Sequence, residues 1–258
     1  MPHWSVTPKS RTGRFTRRAV RAVALLLGGF GLYVLLLLHP GSLFAYDVRY
    51  ANLVLHAPKP LPPEALDVAR AARERVALSP FFSASDEYDV YLCDTPALYA
   101  FLSLKPETGA VSQVYLDGNV FLRPSAIERD RLIGPRGHDV PGDRTLTYYI
   151  AHELAHTMVA RHIGRRAYHA LAAWQQEGYA DYVGKGGSFD YDAILAAFRA
   201  GERDLDPVAS GLYLRYHLLT AYELDRQGLS PLELLAEPRA REPLEAQLRA
   251  ARPEAAAH

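Results

Sequence analysis

Between Thr147 and Ala160 the chain reads Thr-Tyr-Tyr-Ile-Ala-His-Glu-Leu-Ala-His-Thr-Met-Val-Ala, with no glycine or proline before Gly164. Such a run predicts a helix. At about 3.6 residues per turn, positions four apart lie on one face. His152 and His156 can therefore aim two imidazole nitrogens at one point, roughly 2.0–2.1 Å from a single zinc ion. Glu153 follows the first histidine, so its carboxylate can reach an attacking water without itself holding the metal. H-E-x-x-H on a helix is the layout of a zinc hydrolase. The competing reading is an amphipathic helix that carries two solvated histidines by chance.

A catalytic zinc takes three protein ligands and keeps one position open. Downstream lies Trp174-Gln175-Gln176-Glu177-Gly178-Tyr179-Ala180-Asp181-Tyr182. Glu177 is the candidate third ligand, on a second helix packed against the first. Asp181, one turn further on the same face, can accept the far N–H of a ligand histidine and hold its tautomer. With His152-Glu153-Leu154-Ala155-His156 followed by Glu177-Gly178-Tyr179-Ala180-Asp181, the chain resembles the gluzincin metallopeptidases, the thermolysin-like clan, whose pattern is H-E-x-x-H and then E-x-x-x-D. The E-G-x-A-D-Y run is similar to the small peptidase-MA-like branch. The resemblance spans roughly Leu146 to Leu235.

The N-terminus carries a different signal. Lys9, Arg11, Arg14, Arg17, Arg18 and Arg21 precede residues 22–38, which contain no charged side chain. A helix over that run is about 26 Å long at ~1.5 Å per residue, close to a hydrocarbon core of ~30 Å. The expected organisation is a basic cytoplasmic segment at 1–21, a transmembrane signal anchor at 22–38, a proline-punctuated linker at 39–62 and a catalytic domain at 63–258. Positive charge on the near side places the domain outside the cytoplasm. A cleaved signal peptide is the alternative, disfavoured because Leu43 interrupts the small-x-small pattern that cleavage requires. Formal net charge is zero and there is one cysteine, Cys93. The first gives no sign of a nucleic-acid partner, and the second excludes an intramolecular disulfide or a cysteine-rich zinc site.

Residues 63–76 predict a helix with Leu66, Ala69, Val76 and the stem of Arg73 facing inward. Tyr88 to Asp94 alternates as a strand, and Pro96 to Leu102 follows as a short helix. Val114–Leu116 and Asn119–Leu122 flank Asp117-Gly118, which reads as a tight hairpin. In gluzincins an edge strand holds extended peptide through main-chain bonds, a role the resemblance assigns to 114–122. Residues 134–143 form a loop, with Thr145 or Asp143 capping the motif helix. Arg165 to Val183 carries the second motif helix, and a long helix runs from about Ser210 to Arg226. The resemblance implies a hydroxyl or imidazole donor to the developing oxyanion in this last region. Tyr213 is the first choice, with Tyr216, His217 and the loop residue His138 as alternates. His162 and His169 read as surface or packing residues.

The expected fold is α+β and zincin-like: a small, mainly antiparallel sheet beside the H-E-x-x-H helix, a helical C-terminal half, and one N-terminal transmembrane helix. The expected activity is Zn²⁺-dependent hydrolysis of a peptide or protein substrate at a membrane. Metal ligands are His152, His156 and Glu177, with Glu153 and Tyr213 catalytic and Asp181 behind them. Two alternatives stand beside it: a zinc-bearing envelope scaffold that binds peptide without cutting it, and a zinc amidohydrolase acting on a non-peptide substrate.

Overall fold

The computed structural model describes residues 11–116, 118–206, 210 and 212–250. Asp117, half of the expected turn dipeptide, lies outside the described residues, as do the first ten residues of the basic segment. The chain divides into two units, Met1–Pro40 and Gly41–His258.

The first unit is the helix α1, Arg11–Leu38, which begins inside the basic segment. Its Arg18–Leu38 stretch has a mean hydropathy of 2.1 and is long and apolar enough to cross a membrane. Leu25, Leu26, Leu27, Phe30 and Leu32 are all exposed.

The second unit is α+β. Its main sheet has strand order β1-β2-β3-β5-β4, formed by β1 (Tyr46–Tyr50), β2 (Leu53–Ala57), β3 (Tyr88–Leu92), β4 (Ala110–Ser112) and β5 (Val120–Leu122). The segment expected to be a linker thus supplies two strands. Their hairpin turns at Ala51 and Asn52, with Ala51 at a φ of 51°. The amide of Asn52 donates to Ser83 O and Asp86 O, which pins the turn to the body of the domain.

The sheet is mixed rather than mainly antiparallel. β1 with β2 and β4 with β5 are antiparallel, but β2 with β3 and β3 with β5 are parallel. Parallel neighbours require crossover connections, and these are present. The helix α2 (Glu64–Val76) links β2 to β3, and the helix α3 (Pro96–Ser103) leaves β3 before the chain returns through β4. The buried face of α2 is Ala65, Val68, Ala69, Ala72 and Val76, while Leu66 is 46% exposed. Leu66 sits one residue, about 100° of helical rotation, off the inner stripe.

The hairpin on the other edge also differs from expectation. Ala110–Ser112, not Val114–Leu116, pairs with β5, and the residues between form a turn rather than a strand. β4 is consequently the free edge of the sheet on the side of the motif helix. Two short strands, β6 (Ser125–Ala126) and β7 (Arg131–Leu132), make a separate ribbon.

The helical half begins with α4, Leu146–Ile163. Thr145 caps it, its hydroxyl oxygen accepting from Tyr148 N–H at 3.1 Å. Asp130 accepts from both the N–H and the hydroxyl of Thr147. α4 packs against α2, β4 and β5, so its residues from Leu146 to Ala160 are buried on nearly every side.

Gly164, at a φ of 87°, ends α4. The expected second helix is split into α5 (Arg165–Ala170) and α6 (Ala173–Lys185), because Leu171 and Ala172 are extended. After α7 (Tyr191–Ala200) comes α8 (Leu214–Ala221), shorter than expected and passing into a wide π-turn at Tyr222–Arg226. The helices α9 (Pro231–Leu234) and α10 (Glu242–Ala250) complete the order. α8 lies unusually close to α6. A Cβ at Gly178 would stand 2.5 Å from the Tyr216 carbonyl oxygen, so the glycine between Glu177 and Tyr179 permits the contact.

Candidate metal centre

The site forms where α4, α6 and the start of α8 meet. α4 presents His152 and His156 one turn apart, and both are buried. α6 is held alongside by another close approach: a Cβ on Gly184 would meet the Tyr148 ring at 3.0 Å and the His152 Cβ at 3.2 Å. That closeness brings Glu177 onto the two imidazoles. His152 Nε2 and His156 Nε2 are 3.1 Å apart, and Glu177 Oε2 is 3.4 Å from the first and 3.7 Å from the second.

Donors held tetrahedrally at about 2.0–2.1 Å from one ion are separated by roughly 3.3–3.4 Å. The three atoms enclose a triangle of that size. His152, Glu153 and His156 also form a group that can hold a metal, with ligand atoms within 4.8 Å of one another. The two carboxylates thus compete for the third position. The shorter distances favour Glu177 as the ligand and leave Glu153 beside the site.

Electrostatics agree with an anionic Glu177. Burial works against its charge, but His156, His152 and Tyr213 outweigh burial and hold its carboxyl down to about 2. Burial lowers His156, while His152 is raised because Glu177, Glu153 and Asp181 overcome the same burial.

The outer nitrogens of both imidazoles face tyrosines. Tyr148 donates its hydroxyl to Asp181 Oδ1 at 2.5 Å, and its oxygen lies 3.4 Å from His152 Nδ1. A carboxylate only accepts, so the Tyr148 oxygen is left to accept from His152 Nδ1–H, and the Nε2 lone pair then points into the site. Asp181 therefore reaches His152 through Tyr148 rather than directly. Its second oxygen accepts from His217 Nδ1 at 2.8 Å. His156 Nδ1 lies 2.5 Å from the Tyr168 hydroxyl, contributed by α5.

No family model, characterised protein or solved structure matches this chain. The likeness to gluzincins rests on the motif residues themselves.

The cavity in front of the centre has a volume of about 570 Å³ and is lined by His152, Glu153, His156, Glu177, Tyr213 and residues of β4. Glu153 is 9% exposed, and among the described residues no side chain bonds its carboxylate. Tyr213 stacks on His152 at 5.6 Å and shares the cavity wall with Glu177, and burial followed by the Glu177 and Glu153 charges raises its phenol, which stays protonated. The alternates fall elsewhere. His138 is exposed and outside the cavity lining, and Tyr216 is half-buried behind Tyr213. His217 turns to Asp181 and lines a larger cavity of about 800 Å³ on the opposite side, where no metal-holding group occurs among the described residues.

His162 packs edge-on against Phe81, as a packing residue should. His169 does more than expected, stacking on Tyr115 at 3.7 Å within the cavity wall. Of the residues that sequence reasoning missed, Tyr148 carried a usable signal, since it is four positions before His152 on the same face. Tyr168 carried none, because its place depends on the break between α5 and α6.

Proposed function

We propose that this protein is a zinc-dependent metallopeptidase of the gluzincin type. The observation that carries the reading is the triangle of His152 Nε2, His156 Nε2 and Glu177 Oε2, with the Glu153 carboxylate beside it and, among the described residues, bonded to no side chain. A donor set of two imidazoles and a carboxylate suits zinc with one position left for substrate. When bound there, zinc supplies a Lewis acid that polarises a scissile carbonyl and acidifies water. Glu153 then takes a proton from the attacking water and returns it to the leaving amine. Tyr213 donates to the carbonyl oxygen as negative charge builds on it. Tyr148, with Asp181 behind it, and Tyr168 keep the two imidazoles oriented.

A zincin-like architecture is part of the same proposal, supported by the contacts of α4 with β4 and β5. β4 has an unpaired edge in the cavity wall, suited to an extended peptide adding as a strand. The proposed peptide-holding segment thereby moves from 114–122 to 110–112.

The direct test measures metal content and hydrolysis of a broad peptide library by the full-length protein in detergent. Stoichiometric zinc with chelator-sensitive cleavage is expected. Zinc binding without cleavage of any peptide would favour the scaffold, and cleavage of non-peptide amides alone would favour the amidohydrolase.

The proposed location is a membrane, with α1 as the span, the basic end in the cytoplasm and the catalytic domain outside. A phosphatase that is active only after export, fused to the C-terminus of the full chain, is expected to be active. A silent fusion, with activity from a cytoplasmic reporter at the same position, would reverse the orientation.

A further inference from the structure

Arg123 follows β5 directly, with its N–H bonded to Gly109 O beside the start of β4. It is 6% exposed and lines the same cavity as His152, Glu153 and Glu177. Its Nε is buried without a hydrogen-bond partner, and among the described residues no ion pair or side-chain hydrogen bond engages its guanidinium. A buried cation left unpaired is costly, and a guanidinium is the side chain best shaped to grip a carboxylate through two parallel bonds.

Charges of both signs share the wall: Lys105 and Arg144 beside Arg123, and Glu107, Glu153 and Glu177, of which Lys105 and Glu107 are exposed. Arg123 shares the cavity wall with Tyr149 and Glu153. Burial raises the phenols of Tyr99 and Tyr149, the Glu153 charge adds to the rise, and the Arg123 charge opposes it at both. Glu153 itself is not within ion-pairing distance, so the guanidinium is not consumed by the proposed catalytic base.

We propose that Arg123 receives a carboxylate of the substrate, so that the cavity selects peptides bearing an anionic group near the bond to be cut. The assignment deepens the peptidase reading and rests on it for the word substrate. The carboxylate has two possible sources, the peptide's own C-terminus and an aspartate or glutamate side chain.

The test is equilibrium binding of four short ligands to the zinc-loaded, full-length Glu153→Gln protein in detergent. N-acetyl-trialanine as free acid is compared with its amide, and N-acetyl-Ala-Glu-Ala-amide with its Gln counterpart. At least one anionic ligand is expected to bind roughly 10–100-fold more tightly than its neutral partner, the range of a charge-assisted bond. The pair that shows the difference identifies the source. In Arg123→Gln the ratio should fall to about one, and Arg123→Lys should keep part of it as a point charge without the fork. Equal affinities within both pairs overturn the assignment on the unaltered Arg123 alone, so misfolding of the Arg123 variants does not obscure the result. Failure of the peptidase reading looks different. Wild-type protein would then cut none of the library peptides, whatever its preference among the four ligands.

Discussion

Glu153→Gln is expected to keep its zinc and to lose peptide hydrolysis by about 10²–10⁴-fold, the usual contribution of a positioned acid–base group. Retention of the metal follows from geometry. The ligand triangle uses Nε2 of both histidines and Oε2 of Glu177, and Glu153 stands outside it. Retention of the fold follows from the lack of any side-chain bond to the Glu153 carboxylate among the described residues. An amide of nearly the same shape leaves no partner orphaned. What the amide cannot do is accept a proton from water and hand it on, and that lost step corresponds to roughly 3–5 kcal/mol of barrier. The measurement is zinc content alongside kcat/KM for one library substrate. A zinc-replete variant that hydrolyses as fast as wild type would remove Glu153 from the role of base, and full complementation in the cell by a zinc-replete Glu153→Gln protein would favour the scaffold over the peptidase.

The parts of the molecule legible in the sequence are those that local spacing controls. His152, Glu153 and His156 need only a helix, and Thr145 as its cap needs only its own hydroxyl. Glu177 and Asp181 are a turn apart, and their helix does bring Glu177 onto the imidazoles. What local spacing does not encode is which elements neighbour one another. The β1–β2 hairpin was hidden because its turn has Ala51 at positive φ instead of glycine, and because Leu53, Val54 and Leu55 are buried in succession and show no alternation. That succession is how a strand covered on both faces reads. The edge strand was placed too late because Val114 and Leu116 resemble strand residues, whereas the pairing is decided by the register of Ala110 with Leu122. The burial of Arg123, with its Nε lacking a partner among the described residues, is set by packing and has no signature in local spacing.

Glu177→Ala is expected to abolish stoichiometric zinc binding while leaving the fold in place. Glu177 supplies one of three donors and the only negative charge among them, so removing it leaves two imidazole nitrogens 3.1 Å apart and no anionic ligand in the triangle. The loss should exceed the 10–100-fold that supporting residues are worth. That range is the expectation for Asp181→Ala, which frees Tyr148, and for Tyr168→Phe, which removes the partner of His156 Nδ1. The fold should survive because the Glu177 side chain is 28% exposed to the cavity and packs little. Its tight neighbour Gly178, not Glu177, carries the α6–α8 contact. Zinc affinity by chelator competition, with circular dichroism as the control for folding, separates the cases. Wild-type affinity in a folded Glu177→Ala protein would remove Glu177 from the coordination sphere. Glu153 would become the third ligand, and a base that is itself tied to the metal is not free to carry a proton. The order of losses, Glu177→Ala well beyond Asp181→Ala and Tyr168→Phe, thus tests the division of labour between the two carboxylates on which the whole functional reading depends.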